Sequence, residues 1–260
     1  MTTARSADGV TIVAAEAGSG PPLVLVHGTG ADHGRWAPVL PALAAQFTVH
    51  CMERRGRGES GDGADYRIER EFEDVKALVD AIGEPVALLG HSHGAICALE
   101  ATLLTSNVQK LVLYEPPIAT DAAVHPASVI ERLQGLLDAG DREGVVTTFF
   151  GETVRMPASE LARLRSLPNW PARVAAAHTI PRELRADEDY RFDAARFSNL
   201  RVPTLLLLGG ESPPFFETAL ARIEQAMPSS HITVLPGQRH TAMNSAPELF
   251  VSEVVAFLRG

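Results

Sequence analysis

The stretch Gly90-His91-Ser92-His93-Gly94 sets a serine between two glycines in the pattern Gly-x-Ser-x-Gly. Held on a tight turn from strand to helix, such a serine presents its hydroxyl outward as an acyl-transfer nucleophile. A hydroxyl is a weak nucleophile at neutral pH and needs a base beside it. His240, in Leu235-Pro236-Gly237-Gln238-Arg239-His240-Thr241, is the candidate base, 148 residues beyond Ser92. Attack on a carbonyl also places charge on oxygen, which backbone N–H groups commonly stabilise. His27-Gly28-Thr29-Gly30 has the glycines for a turn that aims such groups into a site. The expected donors are the amides of Thr29 and of His93, the residue after the serine.

These residues need elements to hold them. Pro85–Leu89 before the serine is short and apolar, and Ala95–Ala101 after it favours a helix. Leu23–Val26, just before the His27–Gly30 turn, is a continuous apolar run, as in a strand buried on both faces. Strands are expected over Val10–Ala17, Phe47–Met52, Lys110–Tyr114, Thr204–Leu208 and His231–Leu235. Arg70–Ile82 carries apolar residues at helical spacing, and further helices are expected over Ala37–Ala45, Phe215–Ala226 and Pro247–Leu258. This alternation predicts an α/β fold with a mostly parallel sheet and helices on both faces. His240 then falls on a loop between the last strand and the last helix. Between Ile118 and Ser198 no buried-strand run occurs; Ser128–Asp138 and Ser159–Leu167 are the clearer helices there. The expectation is a core of residues 1–117 and 199–260 with a helical cap, residues 118–198, inserted after the sixth strand. An insertion at that point projects from the carboxyl ends of the strands, where ligands bind in such sheets.

Composition bounds the function. The chain has 260 residues, 45% of them hydrophobic, and a net charge of −9. That charge argues against nucleic acid or an anionic membrane as a partner. Cys51 and Cys97 lie on a predicted strand and helix and read as buried free thiols, with no spacing that suggests a metal. The N-terminus lacks the apolar core of a signal peptide, and no apolar run is long enough to span a bilayer. A cytoplasmic protein is expected, and a homodimer is compatible with the chain.

The chain resembles proteins of the α/β-hydrolase fold over almost its full length. The resemblance rests on His27-Gly28-Thr29-Gly30, on Arg55-Gly56-Arg57-Gly58-Glu59-Ser60, on Gly90–Gly94 and on Gly237-Gln238-Arg239-His240. Family members carry Asp where this chain has Glu53, in a segment that is mostly structural. The resemblance implies an eight-stranded sheet, a Ser–His–acid triad, and hydrolysis with neither metal nor organic cofactor.

The chain departs from the family at the acid. The usual Gly-x-x-Asp turn after the seventh strand reads Gly209-Gly210-Glu211-Ser212, with serine where the carboxylate belongs. Glu211 is one position early. Glu115 ends the sixth strand in Tyr114-Glu115-Pro116-Pro117, where some members of the fold place their acid. The sixth strand should neighbour the nucleophile strand, and the prolines stiffen the backbone there. Glu115 is the preferred acid and Glu211 the alternative. His91 is expected to pack beside the turn. His33 and Trp36 are candidates to line the pocket, and Phe149, Phe150, Trp170 and His178 fall in the cap. Phe215 and Phe216 are expected to start a helix that packs on the sheet.

The activity expected is hydrolysis of an ester, lactone or thioester of a small, largely apolar molecule through an acyl-enzyme. The same triad also suits C–C bond hydrolysis or another cofactor-free reaction, and a ligand-binding signalling protein on this scaffold is a second class of reading. A dehalogenase is disfavoured, because it wants Asp in place of Ser92.

Overall fold

The computed structural model describes residues 1–119 and 124–260. Its strands are β1 (Thr2–Arg5), β2 (Thr11–Ala17), β3 (Pro22–Val26), β4 (Thr48–Glu53), β5 (Val86–His91), β6 (Val108–Tyr114), β7 (Thr204–Gly209) and β8 (Ser230–Leu235). They form one sheet in the order β1-β2-β4-β3-β5-β6-β7-β8. The β1–β2 and β2–β4 pairings are antiparallel and the rest are parallel. Strand β1 is the one strand with no assignment from the sequence: four residues with a single buried side chain give no apolar run to read.

The core helices are α1 (Leu40–Ala44), α2 (Ile68–Ile82), α3 (His93–Ala101), α10 (Pro214–Ala226), α11 (Ala242–Ser245) and α12 (Pro247–Arg259). The helices α4 (Ala127–Asp138), α5 (Arg142–Thr148), α6 (Ala158–Arg165), α7 (Trp170–Ala175), α8 (Thr179–Asp189) and α9 (Ala194–Phe197) lie between β6 and β7. A short 3₁₀ turn covers His33–Trp36, and a π-helical turn covers Phe149–Thr153.

Strands β3, β5 and β7 are buried along their whole length, because helices cover both faces of the sheet. One apolar layer joins the sheet to α2, α3 and α10; the opposite layer joins it to α1 and α12. Helix α2 turns Phe72, Val75, Leu78 and Val79 to the core and stops at Gly83, whose φ of 79° suits a residue without Cβ. The inserted helices bury a cluster of their own around Leu133, Val146, Phe149, Phe150 and Ile180.

The chain leaves β3 for β4 on one side and returns as β5 on the other. A crevice opens at the carboxyl ends of strands where the order reverses in this way. The ends of β3 and β5 carry His27–Gly30 and Ser92. No described helix is long and apolar enough to cross a membrane, and both cysteines are buried free thiols.

Candidate active site

Ser92 stands between β5 and α3 with φ 57° and ψ −130°, a backbone conformation costly for any side chain. Its neighbours show why the turn is built with glycine. A Cβ on Gly90 would lie 2.4 Å from the Gly94 carbonyl oxygen, and one on Gly94 would lie 2.4 Å from that of Val26. Helix α3 therefore sits directly on the strands, which forces the sharp turn. The Ser92 amide donates to the Tyr114 carbonyl at 2.9 Å and ties the turn to β6.

His240 lies between β8 and α11, and its backbone is held at three points. The His91 ring meets the His240 carbonyl at 2.8 Å through Nε2. A carbonyl only accepts, so Nε2 of His91 carries the proton. Burial first, and the nearby His240 second, push the His91 pKa well below the ordinary imidazole range and keep that ring neutral. The Tyr114 hydroxyl donates to the Arg239 carbonyl and accepts the Ala242 amide at 3.1 Å. The Phe216 ring stacks on the imidazole, with centroids 4.8 Å apart and planes 15° apart.

The Nδ1 of His240 meets Glu115 Oε2 at 2.6 Å. A carboxylate in that position fixes the proton on Nδ1 and leaves Nε2 free to accept one. Glu115 is fully buried, has a φ of 46°, and accepts the Gly209 amide at 2.7 Å on its other oxygen. Both carboxylate oxygens are thus engaged. Glu211 lies elsewhere: its carboxylate is exposed and 3.7 Å from Arg239. No hydrogen bond joins the Ser92 hydroxyl to the imidazole among the described residues; such contacts often tighten only when substrate is bound.

The His27–Gly30 turn lies against the serine, and a Cβ on Gly28 would be 2.8 Å from that of Ser92. His27 closes the turn through a ring contact of 2.9 Å from Nδ1 to the Gly28 carbonyl. Burial holds His27 neutral, with Arg57 and Arg54 adding to the effect. Of the expected oxyanion donors, Thr29 lies in this turn and His93 is the first residue of α3, directly after Ser92.

The two candidates for the pocket wall sit differently: Trp36 is packed in the scaffold, whereas the His33 side chain is half exposed. Trp36 is fully buried and meets His91 edge-on at 6.5 Å. His33 has its imidazole committed to the Glu53 carboxylate.

Beneath the serine runs a buried ionic network. Arg54 grips Glu71 with two hydrogen bonds of 2.7 and 2.8 Å and reaches Glu183 of α8 at 3.3 Å. Arg57 meets the same Glu183. The His93 ring meets Asp187 of α8 at 2.6 Å. Burial alone would lower the His93 pKa, but the Asp187 carboxylate raises it well above the ordinary range, so this imidazole is cationic. The sequence could not assign these partners, because Glu183 and Asp187 are far away in the chain and resemble ordinary helix-surface acids. Phe216 was likewise legible only as core. A cavity of about 810 Å³ between α2 and α8, lined by Tyr66, Phe72 and Arg182 among others, contains none of Ser92, His240 or Glu115.

An eight-stranded sheet with a strained serine after β5 and a histidine–carboxylate pair after β8 and β6 defines a hydrolase of the α/β class. Residues 23–253 match the model of the Alpha/beta hydrolase family, and the chain belongs to that family. It is 28% identical to a pimeloyl-[acyl-carrier protein] methyl ester esterase of Aeromonas salmonicida, over 94% of this chain and 97% of that protein. It is 24% identical to a 2-(acetamidomethylene)succinate hydrolase of Mesorhizobium japonicum, over 96% of this chain and 92% of that one. Among solved structures, an alpha/beta hydrolase from Sphaerobacter thermophilus superposes with a TM-score of 0.83 and 36% identity, covering 98% of this chain and 99% of the other.

Proposed function

We propose that the protein is a serine hydrolase that cleaves a carboxylic ester, lactone or thioester through an acyl-enzyme. The observations that carry this reading are the strained backbone of Ser92 at the β5–α3 turn and the Nδ1 of His240 bound to the buried Glu115. The esterase named among its relatives points the same way.

In this reading Ser92 Oγ attacks the carbonyl carbon and its proton passes to Nε2 of His240. The Thr29 and His93 amides hold the oxyanion. The tetrahedral intermediate collapses, the C–O or C–S bond to the leaving group breaks, and His240 returns the proton to that group. Water then enters, gives a proton to His240, and attacks the acyl carbon. Collapse of the second intermediate releases the acid and restores the Ser92 hydroxyl. Glu115 stabilises the imidazolium through both halves without taking its proton. The inserted helices act as a cap over the site.

A fluorophosphonate probe should form an adduct on Ser92, located by mass spectrometry, and Ser92→Ala should abolish p-nitrophenyl acetate hydrolysis. Turnover retained by Ser92→Ala would overturn the assignment.

A further inference from the structure

The fold pairs its buried cations with care, with one exception. Arg54, Arg55, Arg57 and Arg173 are the arginines buried among the described residues. Arg54 holds Glu71 and Glu183, Arg55 holds Asp74 and Asp8, and Arg57 holds Glu183. Arg173, on α7 and only 8% exposed, has no ion pair. One of its terminal nitrogens donates to the Gly30 carbonyl, one residue from the Thr29 amide, while its Nε is buried with no partner. A buried guanidinium with an idle donor and no carboxylate within ion-pair distance among the described residues is costly unless an anion arrives to meet it.

A second cation stands nearby. Arg35, partly buried on the 3₁₀ turn that follows the His27–Gly30 loop, finds neither a side-chain hydrogen bond nor an ion pair among the described residues. The turn that carries Arg35 docks on the start of α7 through the Asn169 side-chain amide and Asp32, 3.2 Å apart, and burial first and the positive charge of Arg173 second bring the Arg35 pKa down to about 10. Asp32 is the carboxylate that offsets them, and it is otherwise engaged. It accepts the Gly34 amide at 2.9 Å and the Asn169 side-chain amide at 3.2 Å. It comes within ion-pair distance of neither arginine.

The wall beside this pair is apolar. The Arg173 guanidinium lies 5.6 Å from the centre of the Phe150 ring. A Cβ on Gly30 would be 2.8 Å from the Phe149 ring and 3.4 Å from that of Phe150. Methylene groups would lie against these rings, with an anionic end at the guanidinia. We propose that Arg35 and Arg173 form an anion subsite beside the candidate nucleophile, and that the protein acts on esters whose acyl chain carries a second, free carboxylate. This rests on the serine-hydrolase reading and replaces the largely apolar substrate that the sequence suggests.

The test compares two near-isosteric esters, monomethyl glutarate and methyl pentanoate, as protectants against fluorophosphonate labelling of Ser92 in the full chain. The carboxylate ester is expected to half-protect at a concentration about tenfold lower than the neutral ester, as a charge-assisted contact would give. Arg35→Gln and Arg173→Gln should each bring the two concentrations to within about threefold. Arg35 makes no side-chain hydrogen bond or ion pair among the described residues, and a melting temperature within a few degrees of wild type checks that its variant keeps the fold. Equal protection by the two esters in the wild type overturns the subsite while leaving the labelled serine intact. Arg35→Gln and Arg173→Gln variants that both keep the tenfold preference overturn it too. If Arg173 served only to tie α7 to the Gly30 loop, its loss would weaken both esters alike. Absence of any Ser92 adduct overturns the hydrolase reading, and the subsite with it.

Discussion

Glu115→Gln separates a carboxylate that acts through His240 from one that merely fills space. The Gly209 N–H lies 2.7 Å from Glu115 Oε1 and can only donate. A glutamine must therefore place its amide oxygen there and turn its NH₂ toward Nδ1 of His240. That NH₂ can only donate, so the imidazole must accept on Nδ1 and carry its own proton on Nε2. In that tautomer it cannot take the proton of Ser92. The loss expected is about 10⁴-fold in kcat, or ~5 kcal/mol of transition-state stabilisation. Steady-state hydrolysis of p-nitrophenyl acetate measures it, with the melting temperature as a check on folding. Glu211→Gln, which disturbs only an exposed contact with Arg239, should keep activity within about twofold of wild type. Near wild-type turnover in Glu115→Gln, or an equal loss in Glu211→Gln, would refute the tautomer argument.

Tyr114→Phe strands the Arg239 carbonyl and the Ala242 amide, at a cost of about 1–3 kcal/mol, and should lower kcat more than it alters KM, read by thermal melts and kinetics. Asp187→Asn takes from the cationic His93 its hydrogen-bonded carboxylate, leaving among the described residues only Glu71 at 3.6 Å, and should destabilise the fold by about 3 kcal/mol, read by urea unfolding at neutral pH. The folded-state pKa of His93 is raised, so its contribution is complete below the unfolded imidazole value of about 6.5 and fades as pH rises through the folded value. Wild-type stability should therefore decline on the alkaline side, and Asp187→Asn should flatten that slope; identical alkaline slopes would count against the pairing.

The sheet was readable because its central strands are continuous apolar runs. Leu23–Val26, Val86–Leu89 and Thr204–Leu208 signal burial on both faces by composition alone, and helix α2 shows its period plainly. Other elements carry no such signal: β1 buries only Ala4, α5 and α9 have only seven and four residues, and α7 and α8 are interrupted by Pro171 and Pro181. Within the candidate site, Ser92, His240 and Glu115 stood out because each follows a strand at a place the chemistry requires. Partners that act through space did not. Phe216 on the imidazole, Tyr114 across the histidine loop, and Glu183 and Asp187 under the serine depend on packing between segments more than ninety residues apart in several cases. Pocket lining and scaffold packing stay equally open for Trp36 in the sequence for the same reason: an aromatic after a glycine-rich turn can face either way, and burial against the His91 ring decides which.

Helix α8 carries Glu183 and Asp187 into the ionic network below Ser92, whereas α6 buries no residue at all. Swinging α8 outward would mean rehydrating several charges at once; displacing α6 would uncover only the partly buried Leu161 and Leu164. The two helices thus differ in what ties them down: ions under the nucleophile for α8, the edges of two leucines for α6. Substitutions on α6 leave the foundations of the nucleophile undisturbed, whereas those at Glu183 or Asp187 reach it.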